Sequence, residues 1–395
     1  MGAESKTRMT EGSISKKIIL FAIPLFLGNL FQQLYNTADS LIVGNYLGSN
    51  ALAAVSSSGN LIFLMVGFIN GIAMGAGVVI ARYYGAKNKD YIQRAIHTTT
   101  AFGLVAGITL TAAGMYLAPK ILVLMGTPAD VLPESIVYFQ TYFAGSLGVV
   151  MYNIFVGILQ SVGDGRHPLI YLIISSCVNV VLDIFFIAGL GMGVGSAALA
   201  TAISQFVSAI LCMVHLMRVK EDYRLELRKI RFDRHMLRQI IQNGVPSGFQ
   251  NSVIAIANVF VQSNINAFGK MAMAGCGAYS KVEGFAFLPV TCFTMAITTF
   301  VGQNYGAGKK ERIRTGIREG VILTILINIP LALMLLCIPE FLTSFMLNDA
   351  SIISYTRDFL AVTGICLFPL GWLFVFRNGC QGMGHTFVPM LSGVL

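Results

Sequence analysis

Charge is what this chain has least of. Only 11% of its 395 residues are Asp, Glu, Lys or Arg, against about a quarter in ordinary soluble domains. A chain so poor in charge and so rich in apolar residues (55% hydrophobic, mean hydropathy +0.72) has too little polar surface to be a water-soluble globule. It reads as an all-α integral membrane protein, because its apolar runs of about 20 residues or more match the roughly 30 Å of hydrocarbon that one helix must cross, and runs this long are not barrel strands. Cysteines are few as well. The seven are an odd number, contain no CxxC and sit in or beside apolar runs, which argues against a disulfide framework or a zinc site. No soluble segment is long enough to be a nucleic-acid-binding domain, so the formal charge of +9 does not point to nucleic acid. Lys16 and Lys17 ahead of "IILFAIPLFLG" look like the start of a signal peptide, but further spans follow and no small-residue cleavage site does, so an uncleaved first helix is expected.

The basic residues gather in particular loops. Spans are expected at about 14–42, 51–81, 91–117, 133–160, 167–189, 194–218, 238–267, 271–303, 312–338 and 351–379, with an eleventh beginning near Pro389. The loop after the second span holds Arg82, Lys87, Lys89 and Arg94, that after the sixth holds eight Lys or Arg between Arg218 and Arg238, and that after the eighth holds Lys309, Lys310, Arg312 and Arg314. The intervening loops have little beyond Lys120 and Lys270. The positive-inside rule then sets the N-terminus and these basic loops in the cytoplasm, for a multi-pass protein of the plasma membrane, the inner membrane of a bacterium.

The sequence repeats. "YYGAKN" at 83–88 returns as "NYGAGK" at 304–309, an offset of 221 residues, and "LQSVGDGRHP" at 159–168 returns as "CQGMGHTFVP" at 380–389 with the same offset. "IP" at 23–24 matches "VP" at 245–246 with a one-residue slip. The repeating unit has six spans, an even number, so the two copies share one orientation. The expected organisation is a cytoplasmic tail (1–13), an N-terminal lobe (14–218), an inter-lobe linker (219–237) and a C-terminal lobe (238–395). On this repeat the second copy lacks most of an eleventh helix and all of a twelfth, so the chain is expected to be C-terminally incomplete. Two parallel lobes rocking about a central cavity is a transporter plan.

Two acids stand where lipid should be. An ionised Asp at mid-membrane costs about 2.5–3.5 kcal/mol on insertion scales, so such acids usually face a cavity. Asp183, in "NVVLDIFFI", shares a helix face with Asn179 four residues earlier. Asp39 ends a polar stripe of Asn29, Gln32 and Asn36 on the first span. Thr201 adds a hydroxyl among small residues of the sixth span, which permit close helix approach. Together these oxygens suit Na⁺, a hard cation; the same carboxyls suit H⁺, because burial and a neighbouring carboxylate favour the protonated form. The residues leave the choice open. The competing structural reading is interhelical hydrogen bonding, worth about 0.6–2 kcal/mol per residue. Helix seven repeats a polar stripe with Ser247, Asn251, Asn258 and Gln262 but without an acid. In the eighth span Glu283 either reaches a cation from the second lobe or pairs with a basic residue elsewhere. Arg377, close to the cytoplasmic end of the tenth span, is expected to snorkel and act structurally. Asp164, in a cytoplasmic turn, is expected to be solvated or to cap a helix.

"IPLFLGNLFQQLYNTADSLIVGNYLGSNALAAVS", the "RYYGAKN" loop, "LQSVGDGRHP" and "NVVLD" together resemble the multidrug and toxic compound extrusion (MATE) family, nearest its bacterial MepA-like branch. The resemblance covers the chain from about residue 14. It implies a twelve-helix fold of two six-helix lobes, a V-shaped cavity, and export of cationic amphipathic compounds by a monomer in exchange for H⁺ or Na⁺, with no other cofactor. It also implies a cation site at Asp39, Asn179, Asp183 and Thr201, with Gln32, Asn36, Asn251, Asn258, Gln262 and Glu283 as further polar cavity lining. Family members that use an acid on helix seven differ from this chain. Two other classes compete. A flippase for lipid-linked saccharide shares the architecture and would be favoured by basic residues inside the cavity. An intramembrane aspartyl protease would use two acids, but neither Asp lies in a GxGD motif.

Overall fold

Uninterrupted apolar runs can satisfy their backbone in lipid only by coiling, and the chain does so along nearly its whole length. The computed structural model describes residues 8–124, 127, 130–268, 270–339 and 350–394, with the side chains of some helix residues left out. The helices are α1 Ile14–Leu47, α2 Ser49–Gly85, α3 Lys89–Leu124, α4 Leu132–Ala144, α5 Ser146–Ser161, α6 Arg166–Asp183, α7 Gly195–Arg218, α8 Arg234–Ala267, α9 Lys270–Gly306, α10 Lys310–Cys337, α11 Ala350–Gly382 and α12 Phe387–Val394. Among the described residues there is no strand, and eight helices are long and apolar enough to cross a membrane, nine if α4 and α5 count as one span. The expected seventh span, α8, is not among them: its many Asn, Gln and Ser residues make it too polar.

Two spans depart from straight helices. The expected fourth is broken into α4 and α5 with a 47° bend at Gly145, whose missing side chain makes room for Ala202 of α7. The fifth stops being an α-helix at Asp183 and continues as a π-helical turn, Ile184–Gly189. There the Leu190 amide donates to Phe185 O at 3.0 Å, a five-residue spacing that occurs chiefly at functional sites. Pro24 in α1 and Pro246 in α8, the repeated "IP/VP" pair, both lie inside their helices.

The halves interlock rather than stand apart. The first turns of α1 (Ile18, Phe21, Ala22, Leu25) pack in one apolar cluster with α9, α10 and α11, whereas Val43 near its other end packs with Tyr138, Ile187 and Ala197. At the basic end the repeat becomes a reciprocal contact: a Cβ on Gly85 would overlap the carbonyl oxygen of Gln303, and one on Gly306 would overlap that of Arg82. These are the same two positions in each copy, so helices α2 and α9 cross backbone to backbone about a pseudo-two-fold axis. Larger side chains at either glycine exclude that approach.

A strap of residues 8–12 crosses this seam. Its Met9 amide donates to Gln303 Oε1 (2.8 Å), and Lys309 Nζ donates to Thr10 O (2.8 Å). Arg312 donates to Gly12 O (2.9 Å) and Met9 O (3.2 Å). Toward the first half, Arg8 lies over Tyr84 at 5.2 Å and Glu11 meets Lys87 at 3.9 Å. The 219–237 connection is also docked: the Glu226 amide donates to His97 Nε2 (3.1 Å), the Asp233 amide to Thr98 Oγ1 (3.0 Å), and Tyr223 and Leu225 are buried.

Candidate functional site

The polar stripe on α1 opens onto a cavity of 770 Å³, walled by α1, α2, α4 to α9 and α11. That volume lies within the range of about 300–1,000 Å³ typical of small-molecule sites. Asn29, Gln32, Asn36 and Asp39 all line it, as do Thr201, Gln205 and Asn251. Helical periodicity explains the alignment, since steps of three and four keep the four side chains on one face.

At one wall the two acids meet. Asp39 of α1 and Asp183 of α6 come within hydrogen-bonding reach of each other. Asp183 and Asn179 are buried, and Asn179 Nδ2 donates to Thr201 Oγ1 at 3.4 Å. One carboxylate oxygen of Asp39, both of Asp183 and the Asn179 amide oxygen are buried with no hydrogen-bond donor among the described residues. Two neighbouring carboxylates, one of them wholly buried, repel each other, and a proton or a cation between them relieves that repulsion. Tyr35 lies within reach of Gln32 and Gln205, and Tyr138 packs near both acids, a collar that spacing alone did not single out.

The other sequence candidates are elsewhere. Asn251 lines the cavity while donating to Gly67 O (3.2 Å). Asn258 is exposed, is absent from the described lining, and the Gln262 side chain lies outside the described residues. Glu283 is not brought to the two acids; it accepts a hydrogen bond from Tyr279 OH (2.6 Å), which in turn accepts one from Thr363 (2.9 Å). Its partner is therefore a tyrosine rather than a basic residue. Arg377 departs from the snorkelling expected of it: it lines the cavity, with Nε buried and without a hydrogen-bond partner among the described residues. Position along a helix cannot reveal this, because the side chain's direction depends on how α11 is rotated against α9 and α10.

A second polar cluster lies at the basic end, where Asp164 precedes α6 and His167 and His215 stand in the end turns of α6 and α7. Asp164 is buried rather than solvated (6% exposed) and caps α6, its Oδ1 accepting from the amides of Arg166 and His167 at 3.2 Å each. Its Oδ2 faces His167 Nδ1 (2.6 Å) and His215 Nε2 (3.7 Å). Burial alone would raise its pKa, but the His215 and His167 interactions outweigh that and hold it below the ordinary Asp value. Among the described residues these three are the group whose ligating atoms converge closely enough to hold a metal, all within 4.8 Å. The two histidines are far apart in sequence, which hid them from any spacing motif.

A bundle of membrane-length apolar helices around a largely apolar cavity of small-molecule size has the plan of a transporter. The family model described as MatE matches residues 24–185 and 246–395, most of the chain. The chain therefore belongs to the MatE family of multidrug efflux transporters. It is similar to "Probable multidrug resistance protein YoeA" of Bacillus subtilis (strain 168), at 28% identity over 90% of this chain and 78% of that protein. It is also similar to "Multidrug export protein MepA" of Staphylococcus saprophyticus, at 24% identity over 98% and 86% of the two chains. A solved structure of a MATE protein in the bent conformation overlays with a TM-score of 0.92 at 24% identity, covering 99% of this chain and 87% of that one.

Proposed function

We propose that this chain is a secondary antiporter of the bacterial plasma membrane that exports cationic amphipathic compounds in exchange for H⁺ or Na⁺. In this reading Asp39, Asn179, Asp183 and Thr201 bind the coupling cation. The observation that carries it is the contact between Asp39 and Asp183 beside four donor-less buried oxygens at the cavity wall. The lobes are residues 14–218 and 238–395, the protein works as a monomer, and its N-terminal tail and basic loops face the cytoplasm. A proton or Na⁺ between the acids favours one arrangement of the lobes and the substrate favours the other, each by its differential affinity. Because Asp39 lines a largely apolar cavity and Asp183 beside it is wholly buried, their charge is poorly solvated, and a cation arriving there gains the most. The protonated pair can likewise release its proton when the lobes re-expose it to water.

The test is efflux of a fluorescent cation from proteoliposomes with Na⁺ and pH gradients imposed separately. Asp39→Asn and Asp183→Asn are each expected to abolish gradient-driven efflux while leaving the protein folded, since an amide keeps the shape and removes the charge. Undiminished efflux by both variants sinks the mechanism. A second reading, a flippase for an anionic lipid-linked saccharide, is favoured by one observation: Arg377 lies inside the cavity. Translocation of such a lipid without any ion gradient would support it instead.

A further inference from the structure

Among the described lining residues of the cavity, Asp39 and Arg377 are the charged side chains, one from each half of the chain. Asp39 is engaged with Asp183. Arg377 has no such companion. Its Nε is buried without a hydrogen bond, no ion pair to it is formed among the described residues, and its guanidinium rests over the Phe374 ring at 5.3 Å. The nearby polar groups are already committed: Asn378 Nδ2 donates to Phe374 O (2.8 Å), and Asn378 Oδ1 accepts from Thr298 (2.9 Å). Arg377 is half-buried, with its terminal nitrogens open to the cavity, and an arginine within a spanning helix and without an ion partner marks a functional position by default.

The other copy of the repeat carries no charge at this position. The 221-residue offset that pairs Gln160 with Gln381 pairs Arg377 with Val156, which lines the same cavity from the first half. The neighbouring positions Asn153 and Gly157 likewise pair with Phe374 and Asn378, and all four line the cavity. The same point of the cavity wall is therefore uncharged in one half and cationic in the other.

Resting on the antiporter reading above, we propose that Arg377 binds an anionic group of the transported molecule, a carboxylate, sulfonate or phosphate. The preferred substrates are then amphipathic zwitterions, held by their anionic end on Arg377. The guanidinium presents a planar fork of donors that matches such oxyanions, and it stands at the wall of a cavity of small-molecule size.

Two rhodamines test it, one with a free carboxylate and the other its ethyl ester, so that they differ by one negative charge. The full chain in proteoliposomes under an imposed ion gradient is expected to export the acid in preference to the ester. Arg377→Gln, and Arg377→Val after its counterpart, are expected to lower that preference by roughly tenfold to a hundredfold, the size of one charge-assisted hydrogen bond. The loss should fall on the acid and spare the ester, with Arg377→Lys retaining part of the preference. Equal export of both by the unmodified protein, or an Arg377→Gln effect that falls equally on both, overturns the proposal. Should Arg377→Gln fail to fold, fluorescence binding of the two dyes to the unmodified protein decides: tighter binding of the acid supports the subsite, and equal or absent binding overturns it. Arg377-dependent transfer of a fluorescent anionic phospholipid in place of the acid overturns the zwitterion assignment. Indifference of both dyes to the ion gradients, with the acid preference intact, is instead the failure of the antiporter reading alone.

Discussion

Arg312→Ala should release the strap across the seam between the halves. Five hydrogen bonds tie residues 9–12 to α9, α10 and the turn between them, from Gln303, Asn304, Lys309 and Arg312, and Arg312 supplies two of these, at 2.9 and 3.2 Å. Hydrogen bonds to charged groups contribute about 1.5–3 kcal/mol each. Arg312 is partly exposed, so solvent screening places its two bonds together near the low end, at about 2–3 kcal/mol. Met9 O keeps its bond from Asn304 (3.3 Å), so the strap is weakened rather than erased. At about 1.4 kcal/mol per factor of ten, the detached population rises on the order of a hundredfold. Hydrogen exchange read by mass spectrometry on the peptide containing Met9 and Thr10 measures this, because local opening sets the exchange rate. Protection should fall by about that factor there and stay unchanged in α3 and α5. Unchanged protection of the strap, or a loss spread evenly over the chain, would refute the reasoning.

Gly85→Ala and Gly306→Ala each drive a methyl into a backbone carbonyl of the other half, and each should cost about 1–3 kcal/mol as an overpacked contact. Both substitutions force the same separation of α2 and α9, so in thermal melts the double variant should lose little more than the worse single one; additive losses would show that the two contacts are independent. Asp164 has a depressed folded-state pKa, so its contribution to stability is complete above the unfolded Asp value of about 3.9 and is lost as pH falls through the lower folded value. Stability measured against pH should therefore drop at the acid end for the unmodified protein, and Asp164→Asn should be less stable near neutrality but flatter there; parallel curves would contradict the assignment. For the acid pair, gradient-driven efflux should vanish in Asp183→Asn while monodispersity in detergent is retained.

The polar stripe from Asn29 to Asp39 was legible because all four residues belong to one helix, whose 3.6-residue period places them on one face. The sharing of a face by Asn179 and Asp183 was legible for the same reason. Asp39 beside Asp183 was not, since it depends on how α1 and α6 are tilted and rotated toward each other. Tyr279, four residues before Glu283 on the same helix, was legible by that spacing too, and only the choice between it and a distant base needed the structure. The break at Gly145 looked like one more glycine in an apolar run until Ala202 was found filling its place, and the π turn after Asp183 has no compositional mark.

Hydropathy, loop charge and the 221-residue repeat thus determined, from the sequence alone, that this is a helical membrane protein built from two like-oriented halves and that its acids are out of place in lipid. Each of these rests on chain-local physics: the length of an apolar run against the thickness of the bilayer, and the cost of a charge within it. Only the tertiary structure decided that Asp39 and Asp183 touch, that Arg377 turns into the cavity instead of toward the membrane surface, and that Gly85 and Gly306 cross reciprocally at the basic end. Those facts depend on helix rotation and crossing, which are set by side chains packing across the whole bundle and are carried by no single stretch of sequence.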